Sequence, residues 1–267
     1  MSSDQAQADA FSTDGYLIVP AVLTADEVAE LRELCSRELT GGGTEMLASQ
    51  FLSLPELAEI PFRERVVSAI KNLLGPDYRL YPNFTARRDV YVPWHVDDAF
   101  VGPDREYVWH PDFGHAQAAI YLQDNDDSGG IDVIPGTHLM SFDGYGKVPP
   151  DFDIAARTIG ASSYPRTVHT RAGDLLLWHP RLMHASTGGA RPRERDKFGI
   201  FFGCGRNRPY DNSRFLSQLV FNRVRMIDGV PRTLPRLAEI VHLRWPESFP
   251  EWMVKKAEET GIEIATL

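Results

Sequence analysis

The sequence predicts a mainly β fold with flanking helices, and three observations carry that prediction. From Tyr78 onward, short strand-like runs follow one another, punctuated by Gly, Pro and Asp. Before Tyr78 the apolar residues recur at helical spacing instead. A length of 267 residues with 43% hydrophobic and 24% charged residues is ordinary for one globular domain that can bury a full core. Many short strands with no helices between them specify an antiparallel sandwich or barrel.

The elements follow in chain order. Leu23, Thr24 and Glu27 precede an apolar repeat at Val28, Leu31, Leu34 and Cys35. Thr24 and Glu27 read as a capping box and Leu23 with Val28 as a hydrophobic staple, so a helix starts here. A second helical stretch begins near Pro61, continues through Val66, Val67, Ile70, Leu73 and Leu74, and stops at Gly75-Pro76. The strand-like runs are Tyr78–Arg88, Gln117–Leu122, Ile131–Ile134, Asp174–Trp178 and Lys197–Phe202. Three segments, 98–115, 141–166 and 205–236, are too long and irregular for simple turns and read as lids or binding loops. The stretch 235–257 reads as helical, broken at Trp245-Pro246 and Phe249-Pro250.

Charge and composition exclude several functions. A net charge of −9 opposes phosphate-backbone binding, which draws on clustered Lys and Arg, so no nucleic-acid partner is expected. The opening residues carry no basic segment followed by an apolar run, and no apolar stretch is long enough to span a bilayer. Cys35 and Cys204, far apart in sequence, fit a reducing compartment. The expectation is a cytoplasmic protein with no membrane partner and an oligomeric state the sequence leaves open.

Chemistry concentrates at two places. In Trp94-His95-Val96-Asp97 the His and Asp are two apart, so on a strand both project from one face. An imidazole and a carboxylate suit a divalent first-row metal, and a second imidazole completes a two-His, one-carboxylate facial triad with open positions. His-x-Asp alone is more often a pair without function. The apolar run Gly173–Trp178 then leads to two histidines, His179 and His184, and periodicity does not choose between them. Arg195, eleven residues past His184 and just before an apolar strand, is placed to clamp a carboxylate, with Arg191 and Arg193 as neighbouring alternatives.

With these residues the chain resembles the phytanoyl-CoA dioxygenase family of Fe(II)/2-oxoglutarate oxygenases, whose pattern is His-x-Asp, a distal His, and an Arg about eleven positions on. Further matches are Phe11-x-x-x-Gly15-Tyr16-Leu17-Ile18-Val19-Pro20, the run from Gly129-Gly130 to Pro135-Gly136-Thr137-His138, and Trp178-His179-Pro180. The resemblance implies a double-stranded β-helix, a jelly-roll, cupin-like core with the metal at one open end. It implies one dioxygenase domain over 1–267: a mainly helical part at 1–77, the core with loop insertions at 78–205, and an insertion with a helical part at 206–267.

The same resemblance selects His184 over His179, which becomes a supporting residue, and so implies that His95, Asp97 and His184 hold Fe(II). It implies that Arg195 binds the distal carboxylate of the cosubstrate 2-oxoglutarate and that Ser186 adds a hydroxyl. Where relatives often show Ser-x-x-Asn, this chain has Ser186-Thr187-Gly188-Gly189. The run before the metal motif places Tyr81, Asn83, Thr85 and Arg87 on one face. In related enzymes that face lines the cosubstrate pocket, with Asn83 and Thr85 the favoured contacts. The alternative is that Leu80, Pro82, Phe84 and Ala86 face the core and the polar set faces solvent.

The implied reaction consumes O2 and 2-oxoglutarate, releases succinate and CO2, and hydroxylates a C–H bond of a small molecule. Halogenase relatives replace the carboxylate with a small residue, so Asp97 favours oxygen transfer. A specialised metabolite or amino-acid-like compound is the expected substrate, approached by a loop carrying Phe100, Tyr107, Trp109 and Phe113 and an arginine-bearing insertion with Arg206, Arg208, Arg214, Arg223 and Arg225. Two competing readings are a cupin-type metalloenzyme that does not use 2-oxoglutarate and a noncatalytic small-molecule or carbohydrate binding module. Asp98 has the wrong parity for the metal, and His138 reads as structural.

Overall fold

A computed structural model describes residues 3–40, 45–92, 94–97, 114–126, 130–139, 164–186, 196–206, 224–227, 230–233 and 248–265. The helices come early. After α1 (Ser3–Asp14) and strand β1 (Tyr16–Val19), α2 runs Ala25–Glu38. The Thr24 hydroxyl accepts from the Glu27 amide at 3.3 Å and Glu27 accepts from the Thr24 amide at 2.8 Å, which is the expected capping box. Two short helices follow, α3 (Ala48–Leu52) and α4 (Pro55–Ala58). The helix expected from Pro61 is a 3-10 turn at Ile60–Phe62 leading into α5 (Glu64–Leu74), which Gly75 ends at φ 106°.

Strand content then dominates. One sheet has the order β1-β7-β4-β9-β2-β12, with β3 also paired to β9. Its members are β2 (Arg79–Leu80), β3 (Thr85–Arg88), β4 (His115–Tyr121), β7 (Leu175–Trp178), β9 (Phe198–Gly205) and β12 (Glu263–Ile264). A second sheet has the order β6-β5-β8, from β5 (Ile131–Val133), β6 (Arg166–Thr167) and β8 (His184–Ser186). All pairs are antiparallel except β12 with β2. A hairpin of β10 (Val224–Ile227) and β11 (Val230–Thr233) occupies part of the 205–236 segment, which the sequence leaves as an irregular loop. The last helix, α6 (Glu251–Thr260), begins at Pro250, one of the expected breaks.

Alternation divides the large sheet into two faces. Ala116, Ala118, Ile120, Leu175, Leu177, Ile200 and Phe202 face the helices and join Val28, Leu31, Phe51, Ile60 and Ile70 in the larger core. Ala119, Tyr121, Leu176 and Trp178 face the smaller sheet and pack with Ile131, Val133, Val168 and Leu182. The chain is therefore two sheets with a core between them and helices against the outer face of one. No helix among the described residues is long and apolar enough to cross a membrane, and Cys35 and Cys204 are buried free thiols.

The run expected as one strand over Tyr78–Arg88 is two strands, interrupted where Pro82 supplies no donor for a ladder. Tyr81, Asn83 and Thr85 are buried along with Leu80, Phe84 and Ala86, so the reading that sends the polar set to solvent fails. With helices on one side and a second sheet on the other, both faces of this run are enclosed.

Candidate metal centre

The segment 94–97 lies beside β8. His95 and His184 exchange both backbone hydrogen bonds at 2.9 Å, and the Asp97 amide donates to the Pro180 carbonyl at 2.8 Å. These bonds bring together residues 89 apart in sequence. His95, Asp97 and His184 each offer a ligand atom within 4.8 Å of the others, and they form the one such cluster of His, Cys, Asp and Glu among the described residues. Asp97 Oδ1 stands 3.5 Å from His95 Nε2 and 3.8 Å from His184 Nε2. His179 is elsewhere, its ring beside those of His115 and His138 with centroids at 5.5 and 5.3 Å, and its Nδ1 accepts from the Arg181 amide at 3.1 Å. His138 bonds the Ser12 carbonyl at 3.1 Å and packs under Gly15.

The protonation states suit a cation. Burial, with the neighbouring His95, pushes His184 down to about 4, against the opposing pull of Asp97 and the Leu182 carbonyl. With Nδ1 2.8 Å from that carbonyl, the proton belongs on Nδ1 and the Nε2 lone pair faces the other two ligands. Burial alone would raise Asp97. The His184 charge, the hydrogen bond and charge from His95, and the bond from Trp178 outweigh it and hold the carboxyl below its usual range. Two imidazoles and one ionised carboxylate fit a divalent first-row metal.

The triad lines a cavity together with Arg87, Val90, Val92, Tyr121, Ser186, Lys197, Gly199 and Phe201. Ser186 is on the wall, its hydroxyl accepting from the Val92 amide at 2.9 Å. Arg87 lies 4.8 Å over the Phe201 ring and pairs with Glu45 at 3.1 Å. Lys197 is 6% exposed. Its ammonium sits over Tyr91 at 4.7 Å and Tyr121 at 5.6 Å and donates to the Val90 carbonyl at 3.1 Å.

The structure does not bring Asn83 and Thr85 to this wall. Thr85 donates to the Met46 carbonyl at 2.9 Å, and Asn83 accepts from the Gly203 amide at 2.8 Å and donates to Gln117 at 3.4 Å. Sequence reasoning missed Lys197 and Trp178. Parity held the signal for Lys197, which immediately precedes β9 and alternates in phase with the wall residues Gly199 and Phe201. Arg195, Arg191, Arg193, Asp98 and the aromatics of the 98–113 loop lie outside the described residues.

The convergence of two histidines and a carboxylate between two sheets, beside a cavity with basic side chains, is the arrangement that the non-haem iron, 2-oxoglutarate-dependent dioxygenases carry. The profile described as Phytanoyl-CoA dioxygenase (PhyH) matches residues 44–194, and the chain belongs to that family. It is 25% identical over 236 residues to an ectoine dioxygenase of Sphingopyxis alaskensis, covering 76% of each protein.

Two solved structures share the fold. The epimerase SnoN in complex with Fe3+, alpha ketoglutarate and nogalamycin RO gives a TM-score of 0.61 at 22% identity, covering 88% of this chain and 97% of that one. HygX from Streptomyces hygroscopicus, with nickel, 2-oxoglutarate and hygromycin B bound, gives 0.59 at 18% identity, covering 78% and 88%.

Proposed function

We propose that this Fe(II)/2-oxoglutarate-dependent dioxygenase hydroxylates a C–H bond of a small, polar specialised metabolite or amino-acid-like compound, in one domain built on a double-stranded β-helix. The observation that carries the reading is the convergence of His95 Nε2, Asp97 Oδ1 and His184 Nε2 beside a cavity with basic walls. These three residues hold the metal. Bound iron supplies the activation of O2 that couples decarboxylation of 2-oxoglutarate to oxidation of the substrate.

The chain's own residues do the positioning. Val90, Val92, Tyr121, Gly199 and Phe201 line the cavity beside the metal ligands and shape the space a cosubstrate would enter. The cosubstrate carries a second carboxylate, which needs a cation on the cavity wall. Lys197 supplies one as a point charge held by two tyrosine rings, and Arg195 a second by its spacing from His184. Ser186, fixed by the Val92 amide, lies on the same wall and offers its hydroxyl proton to that carboxylate. The substrate class is supported by the relatives, one named for ectoine and one solved with hygromycin B.

The test is anaerobic loading with Fe(II) and 2-oxoglutarate, followed by admission of O2 with a panel of such compounds while succinate is measured. Succinate formation stimulated by a panel member, and abolished in Asp97→Ala, is the expected result. Undiminished turnover without 2-oxoglutarate would overturn the reading in favour of a cupin-type enzyme.

A further inference from the structure

The carboxylate of Asp97 is held from two sides. Its Oδ1 faces His95 Nε2 and His184 Nε2 at 3.5 and 3.8 Å, while its Oδ2 accepts from the indole Nε1–H of Trp178 at 3.0 Å. Trp178 cannot easily move. It is the last residue of β7, paired with Gln117 on one side and Tyr16 on the other, it is 5% exposed, and its ring lies 5.6 Å from that of His184. The Asp97 backbone is pinned as well, through its amide to Pro180 two residues beyond Trp178.

From this geometry we infer that Trp178 is a positioning residue, whose indole N–H engages the second oxygen of Asp97 so that the carboxylate meets the metal through Oδ1 alone. The inference rests on the metal-site reading above. A carboxylate is free to bind a divalent ion through one oxygen or two. With single-oxygen ligation the triad leaves three positions of an octahedron, enough for a chelating 2-oxoacid and one further ligand. If Oδ2 also turned to the metal, only two would remain, and the cosubstrate would compete with the protein's own carboxylate. A hydrogen bond to an anionic oxygen is among the stronger ones, so engaging Oδ2 with a rigid ring nitrogen opposes that rotation.

The experiment compares the wild type with Trp178→Phe, which keeps an aromatic ring but no donor, and with a benzothiophene analogue of tryptophan placed at position 178, which replaces only the N–H. Mn(II) affinity, 2-oxoglutarate affinity of the Mn(II)-loaded protein and thermal stability are measured on each. In both variants the 2-oxoglutarate affinity of the Mn(II)-loaded protein is expected to fall at least about tenfold, the scale on which supporting hydrogen bonds act at metal sites, and to fall by more than Mn(II) affinity does. Pyruvate, which chelates through the same two groups, should weaken in parallel. Unchanged 2-oxoglutarate affinity in both variants overturns the inference. So does loss of Mn(II) and 2-oxoglutarate together with a lowered melting temperature, which would make Trp178 a packing residue. A wild type that takes up no Mn(II) overturns the metal site itself, a result distinct from either.

Discussion

The proposed cosubstrate role of Lys197 is testable at a single side chain. Its ammonium sits in the metal cavity against two tyrosine faces, and its backbone is fixed by a 2.8 Å bond from its amide to Asp89 Oδ1. Lys197→Met removes the charge while keeping most of the volume. Anaerobic titration should show 2-oxoglutarate binding about ten- to a hundredfold more weakly, as expected for a lost hydrogen bond to a charged group. Pyruvate, which lacks the distal carboxylate, should be unaffected; equal losses for both would remove Lys197 from that role. Residues at this scale were partly legible. His95 and Asp97 stand two apart and announce a shared face, but His184 is 89 positions away and competes with His179 on spacing alone; the family resemblance selects His184, and the backbone bonds between 95 and 184 place it beside His95. Strand parity places Arg87 on the face that lines the pocket in related enzymes, and it is on the cavity wall, whereas Lys197 reads only as the start of an apolar strand, because nothing local tells that a second sheet covers its face.

At the scale of elements, the legible parts are those whose signal is local. The α2 cap is written in Thr24 and Glu27 and appears as two hydrogen bonds. Strand β1 is short, and its existence depends on pairing with β7 between residues 156 to 162 positions apart, so no local pattern demands it. The same holds for β6, β8 and β12, each of two or three residues. Two elements carry separable predictions. Thr24→Ala leaves the Glu27 amide without its cap and should cost about 1 kcal/mol in urea unfolding, with metal affinity unchanged because α2 lies on the helix side of the sheet. Gly173 opens β7, the strand that delivers Trp178, at φ +85° and with a Cβ position 2.9 Å from the Leu23 carbonyl oxygen. Gly173→Ala therefore incurs left-handed strain of about 1–2 kcal/mol plus that clash. It should lower the melting temperature more than Thr24→Ala does; the opposite ranking would show that the turn relaxes freely.

For the whole molecule, the buried histidines link stability to pH. Burial pushes His184 down to about 4; burial with Arg181 pushes His115 down to about 3, against Asp97; burial and the surrounding His115, Arg181 and His138 hold His179 well below its ordinary value. In the unfolded chain each titrates near 6.5. Between about pH 6.5 and 4 the unfolded state therefore binds protons that the native state refuses, and native stability must fall as pH falls through that window. Above it the three contribute no slope. Below about pH 4 the loss continues, because Asp97 sits under its unfolded value and its share of stability disappears as it protonates. Metal sharpens the effect. A divalent ion binds only the neutral imidazoles and ionised carboxylate, so loaded protein gains about 2.7 kcal/mol at a hundredfold excess over Kd and forfeits that gain as protons displace the ion. Urea unfolding at pH 7.5, 6.5, 5.5 and 4.5, with and without Mn(II), should give a declining apo curve and a steeper loaded one that meets it at low pH. His184→Gln should make the apo slope shallower, leaving the share of His115 and His179, and should erase the metal increment, whereas an apo stability constant across the window would mean that these histidines protonate inside the fold.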